Sequence, residues 1–158
     1  MKFNHMVVAS AVLLAPFCAT HAASPVSDAV KRGEYLIRIA GCNDCHTPGY
    51  GEKLGATPAS EWLTGSPVGY RGPWGTSYAA NLRLSISKLT EEQWLQQAKL
   101  PRLPPMPFWA LKDMSDADLK AIYQFVRSLG VVGSAMPTAV SPGTPVKTPV
   151  IDFVPHAP

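Results

Sequence analysis

The sequence predicts an all-α domain built from three main helices joined by long loops, and three observations carry that expectation. Three segments place apolar residues at helical spacing, two of them behind a capping residue. With 12 glycines and 16 prolines, the chain is unsuited to a long helical bundle or a coiled coil. Residues 47–89 are rich in glycine and proline and show no long periodic run. At 158 residues, 46% hydrophobic and 16% charged, the chain suits a single soluble core.

Taken in order, residues 1–23 read as an export signal. Lys2 and His5 precede the apolar run 7–17, and Ala19, Thr20, Ala22 and Ala23 close the segment. The run has 11 residues where a membrane span needs about 18 or more, so neither it nor any later segment is expected to cross a bilayer. Cys18 would leave with the signal. Cys18 as a lipidated residue fits poorly, because the bulky Phe17 precedes it.

The first helix spans about 28–40 and carries Val30, Tyr35, Leu36, Ile37 and Ile39. Gly33 inside it costs about 1 kcal/mol in propensity, which suggests close contact with another element. A second helix runs over about 91–99, with Thr90 and Gln93 forming a capping box and Trp94, Leu95 and Ala98 facing inward. The last helix starts at the cap Ser115, buries Leu119, Ile122, Tyr123, Val126 and Leu129, and stops at Gly130. It is expected to pack on the first. Residues 24–136 thus form one domain, and 137–158 are a tail with six prolines in 22 residues, expected to be extended and without regular structure. Two readings of the tail stand: a disordered end, or an arm that wraps the domain or a partner, suggested by Ile151 and Phe153.

The chemistry lies in Cys42-Asn43-Asp44-Cys45-His46, a C-x-x-C-H motif. On a helical turn, positions i, i+3 and i+4 share a face. Two thiols can then form thioethers to the two vinyl groups of a haem while the adjacent imidazole reaches the iron. A thioredoxin-type pair would need a βαβ surround, and a zinc site a second ligand pair; neither is visible. A bare disulfide leaves His46 without a purpose.

For the other side of the iron the chain past the signal offers Met106, Met114, Met136 and His156. Met106 lies in Pro104-Pro105-Met106-Pro107, where three prolines stiffen the backbone, so a thioether sulfur can be held with little ordering cost. Met114 borders the last helix and reads as core filling, Met136 opens the tail, and His156 sits near its end.

Gly33-Glu34-Tyr35-Leu36, the C-x-x-C-H motif with Thr47-Pro48, Met106-Pro107-Phe108-Trp109 and Leu119-Lys120-Ala121-Ile122-Tyr123 together resemble a class I cytochrome c domain of the periplasmic, monohaem, proteobacterial kind. The resemblance covers residues 28–130. It implies one covalently bound haem c, with Cys42 and Cys45 as anchors, His46 as the proximal ligand and Met106 as the distal one. The stretch 70–81 departs from the family pattern; within its polar-aromatic cluster (Tyr70, Arg71, Trp74, Tyr78, Asn81), Arg71 and Trp74 are candidates to meet the haem propionates. A solvated loop charge and a core aromatic are equally good readings of those two residues.

A doubly ligated iron implies a periplasmic electron carrier rather than an enzyme, with redox proteins as partners. The alternatives are the electron-accepting cytochrome subunit of a periplasmic dehydrogenase and, if Met106 does not ligate, a five-coordinate gas-binding or peroxidatic protein. The formal charge of +3, falling to +2 without Lys2, is unclustered and excludes nucleic acid as a natural partner.

Overall fold

A computed structural model describes residues 27–155; the signal segment, Cys18 and His156 lie outside them. Helix α1, Asp28–Ile39, starts where Ser27 accepts a hydrogen bond from the Val30 amide. The motif itself forms a short helix, α2, Cys42–His46, entered through Gly41 at φ 68°, a left-handed turn that favours glycine. A single 3-10 turn follows at Ala59–Glu61.

Most of the stretch 70–81 lies in a hairpin. Strand β1, Gly69–Gly72, pairs antiparallel with β2, Gly75–Tyr78, in the register Gly69↔Tyr78 to Gly72↔Gly75. Pro73 and Trp74 make its turn. Four-residue strands, each carrying glycine, are too short and too weak in β propensity to show as an alternating run. Helix α3, Leu82–Ser87, was also not foreseen; it is short, and Asn81 caps it by accepting from the Leu84 amide. The loop predicted over 47–89 therefore contains a hairpin and a helix.

Helix α4, Glu91–Ala98, opens on the expected capping box of Thr90 and Gln93. Helix α5, Phe108–Asp113, follows the proline-rich loop, in which the Pro104–Pro105 peptide is cis. Helix α6, Asp116–Ser128, is capped by Ser115, as expected, and ends before Gly130.

Helices α1 and α6 form the central pair. The core joins Leu36 and Ile37 of α1 to Leu119, Ala121, Ile122, Phe125 and Val126 of α6, with Trp62, Leu63, Ile86, Trp94 and Ala98 around them. A Cβ built on Gly33 would lie 2.1 Å from the Ala121 carbonyl oxygen, so the two backbones approach at a point where no side chain fits. The glycine that weakens α1 is what lets it cross α6 closely. Trp94 locks α4 onto this pair by donating its indole N–H to the Leu119 carbonyl at 2.7 Å. Met114 packs against the same core.

The tail corrects one expectation. It contains strand β3, Val150–Asp152, which pairs parallel with β1 to give a three-stranded sheet in the order β2-β1-β3. The prolines at 149 and 155 bracket a run free of proline, long enough to offer a ladder to an existing strand. Upstream, Val140 forms a two-bond bridge with Thr76 of β2. Among the described residues, the tail lies along its own domain through these pairings.

Candidate functional site

The site is built around α2. Its two cysteines are free thiols, half-buried and one helical turn apart. Burial pushes the Cys42 thiol up to about 11, so it is a protonated thiol at neutral pH. His46, at the end of the helix, is 8% exposed. Its Nδ1 lies 2.7 Å from the Ala80 carbonyl oxygen. A carbonyl only accepts, so Nδ1 carries the proton and Nε2 keeps a free lone pair. Burial also holds the imidazole below its usual pKa, opposed by the Ala80 bond, and so favours the neutral, ligating form.

A buried polar relay supports the helix from behind. Thr47 donates its hydroxyl to Asn43 Oδ1 at 2.7 Å and accepts the Leu63 amide at 2.8 Å. Leu63 sits at φ 61°, a left-handed conformation that costs energy in a branched residue and is held here by Thr47 on one side and the Leu82 amide on the other. The His46 carbonyl accepts from Gly65 at 2.8 Å. The C-terminal end of the motif is thereby anchored to the segment 63–65, and Asn43 is tied to it through Thr47.

These features suit a covalently attached haem c. Two thiols free of disulfide, three residues apart on one helical turn, stand beside a buried neutral imidazole whose Nδ1 is fixed by Ala80. Among the described residues, no group of three or more His, Cys, Asp and Glu side chains is gathered to hold a metal ion on its own.

The other predicted residues are placed as follows. Met106 is half-buried in a tight loop: its amide donates to Leu103 and its carbonyl accepts from Phe108 at 2.8 Å. The loop is tied to the hairpin where Ser77 of β2 donates its hydroxyl to the Pro104 carbonyl at 2.5 Å. Ser77 and Ala80 are three residues apart, at most about 10 Å of chain. One short stretch therefore holds the His46 imidazole at one end and the Met106 loop at the other. Met136 packs instead on Gly65, beside the backbone that binds His46.

Arg71 and Trp74 have partners elsewhere. The Arg71 guanidinium makes a two-point pair with Asp152 of β3, at 2.6 and 2.7 Å. Trp74 donates to the Tyr70 carbonyl at 3.2 Å and packs at a tilt against Phe153, with ring centroids 6.0 Å apart. Within the same cluster it is Tyr70 that meets the motif. Burial first, and then a hydrogen bond with the Cys45 thiol, raise its hydroxyl pKa above the usual range. Ser77 and Ala80 carried no sequence signal, since a hydroxyl and a backbone carbonyl in a loop look like any others.

Comparison with known proteins finds a likeness to a cytochrome c subunit. Over 137 aligned residues the chain is 28% identical to the cytochrome c subunit of a quinone alcohol dehydrogenase from Gluconobacter oxydans. The alignment covers 79% of this chain and 27% of that protein, so the chain spans about a quarter of the relative's length. No family model matches the chain. No solved structure matches it either.

Proposed function

We propose that this chain is a periplasmic class I cytochrome c that carries single electrons between redox proteins, with one haem c ligated by His46 and Met106. When bound, the haem supplies a ferrous/ferric couple. Cys42 and Cys45 would anchor it by adding their S–H groups across its two vinyl groups, and no oxidant is needed for that bond. His46 would present Nε2, with Ala80 holding the ring's tautomer and direction. Met106 would present its sulfur from the proline-braced loop. With His46 and Met106 both committed to the iron, no position would be left for substrate, and the chain would carry electrons without catalysing a reaction. A thioether ligand and apolar surroundings both favour the ferrous state and a high potential.

The observation that best supports this reading is the single stretch 77–80, which ties the imidazole at one end and the methionine loop at the other. The periplasm as the site of action rests on the N-terminal export grammar. Among the described residues no helix is long and apolar enough to cross a membrane. Arg71 and Trp74, committed to the tail, are left out of the proposed haem contacts.

A second reading concerns the donor. The likeness to a dehydrogenase's cytochrome c subunit favours a periplasmic dehydrogenase as the protein that reduces this one, with the chemistry at the iron unchanged. Absorption spectroscopy tests the ligand set: the oxidised protein is expected to show a sulfur-to-iron charge-transfer band that Met106→Ala abolishes, and the reduced protein to bind no carbon monoxide. Rapid carbon monoxide binding by the unmodified protein would overturn the carrier reading in favour of a five-coordinate one.

A further inference from the structure

We propose that Ser77 is a positioning residue for the Met106 sulfur and that the C-terminal arm acts through it, so that the tail controls how firmly the sixth ligand is held. This rests on the assignment of Met106 as that ligand.

The argument begins with the loop. Pro101, Pro104, Pro105 and Pro107 have no N–H to give, so residues 101–107 have few ways of tying themselves to the fold. The Met106 amide bonds within the loop, to Leu103. Arg102 bonds to Gln97, just upstream. Among the described residues, the one hydrogen bond that reaches residues 103–107 from a distant part of the chain is the Ser77 hydroxyl to the Pro104 carbonyl. It lands two residues before the methionine.

Ser77 can hold the loop only as firmly as β2 is itself held. In a strand successive side chains point to opposite faces, so Ser77 faces the loop while Thr76 and Tyr78 face away from it. Both of those neighbours are held by the tail. The Thr76 amide and carbonyl pair with Val140 at 3.0 Å each, and the Tyr78 hydroxyl lies 2.8 Å from the Thr148 hydroxyl. Gly75 is pressed against the same segment: a Cβ there would meet the Val140 carbonyl oxygen at 2.0 Å. Further on, β3 pairs with β1, and Asp152 clamps Arg71. The tail thus braces both edges of the hairpin through its backbone, and the face opposite Ser77 through Tyr78 and Arg71.

The test uses the haem-loaded full chain and the variants Ser77→Ala, Ser77→Thr, Tyr78→Phe and a truncation lacking residues 138–158. Two quantities are read: the intensity of the sulfur-to-iron band in the oxidised protein, and the carbon monoxide association rate of the reduced protein, which counts molecules whose sulfur has let go. A lost hydrogen bond should raise the sulfur-free fraction, and with it the rate, about fivefold in Ser77→Ala. Ser77→Thr, which keeps the hydroxyl, should return it towards normal. The truncation should act at least as strongly as Ser77→Ala. Tyr78→Phe, which removes one tie and leaves the chain whole, should act in the same direction and replaces the truncation if that chain does not fold.

Rates equal to the unmodified protein in Ser77→Ala and Tyr78→Phe would overturn the proposal, as would a Ser77→Thr variant indistinguishable from Ser77→Ala. If the unmodified protein has no band, or Met106→Ala keeps it, the ligand assignment itself has failed. A band that Met106→Ala abolishes and the Ser77 variants leave intact sinks this inference alone.

Discussion

Replacing Gly33 with alanine tests the packing that frames the site. The added methyl would lie 2.1 Å from the Ala121 carbonyl oxygen, 2.7 Å from its carbonyl carbon and 2.6 Å from Phe125 Cβ. Ordinary carbon–oxygen contacts begin near about 3.3 Å, so α1 and α6 would have to part by about 1 Å. Two of the three obstructing atoms are backbone, so no side-chain rotation relieves the clash. A gap of that size forfeits a quarter to a half of the dispersion energy along the seam between Leu36, Ile37, Ile122 and Phe125. Overpacking of this kind costs about 3 kcal/mol at the upper end of its usual range, and alanine returns about 1 kcal/mol of helix propensity. The net loss is then about 2 kcal/mol, or a fall in Tm of about 8 °C. Urea unfolding of the haem-loaded protein, followed by far-ultraviolet circular dichroism, measures it. The control is Gly51→Ala, where nothing lies within 4 Å of the added methyl and stability should hardly move. A Gly33→Ala variant as stable as this control would refute the close-crossing argument.

Two further expectations concern the scaffold. Arg83, buried among α3, α6 and the 3-10 turn, donates to the carbonyls of Ser60 and Gly130 at 2.7 Å each and to that of Leu129. Arg83→Ala removes three charge-assisted bonds and uncaps the end of α6, so a loss of about 3 kcal/mol is expected in the same urea assay; a loss below about 1 kcal/mol would show that these carbonyls are satisfied otherwise. Thr47→Val keeps the shape but strands the buried Leu63 amide and Asn43 Oδ1, and should cost about 2 kcal/mol, with an unchanged melting temperature counting against the relay.

Much of the site was legible because its signals are local. Cys42, Cys45 and His46 announce themselves by spacing within a single helical turn, and Ser27, Thr90 and Ser115 cap their helices through residues three positions on. Gly33 was readable as a penalty that needed a reason. The hairpin was not legible, because four-residue strands take their order from the strands beside them rather than from their own composition. Arg71 shows the limit of reading charge without a partner: a cation in a loop next to a predicted cofactor invites one assignment, and Asp152, 81 residues away, provides another.

By itself, then, the sequence determined the motif, the extents of α1, α4 and α6 and the proline-braced methionine loop, since each depends on contacts within about four residues. Only the tertiary structure decided what holds them in relation to one another: Ala80 on His46, Ser77 on Pro104, Val140 and Thr148 on β2, and β3 on β1. Those bonds join residues 27 to 82 positions apart, through backbone groups and hydroxyls that every chain has in abundance. What selects one partner among so many is the fold that brings them within reach.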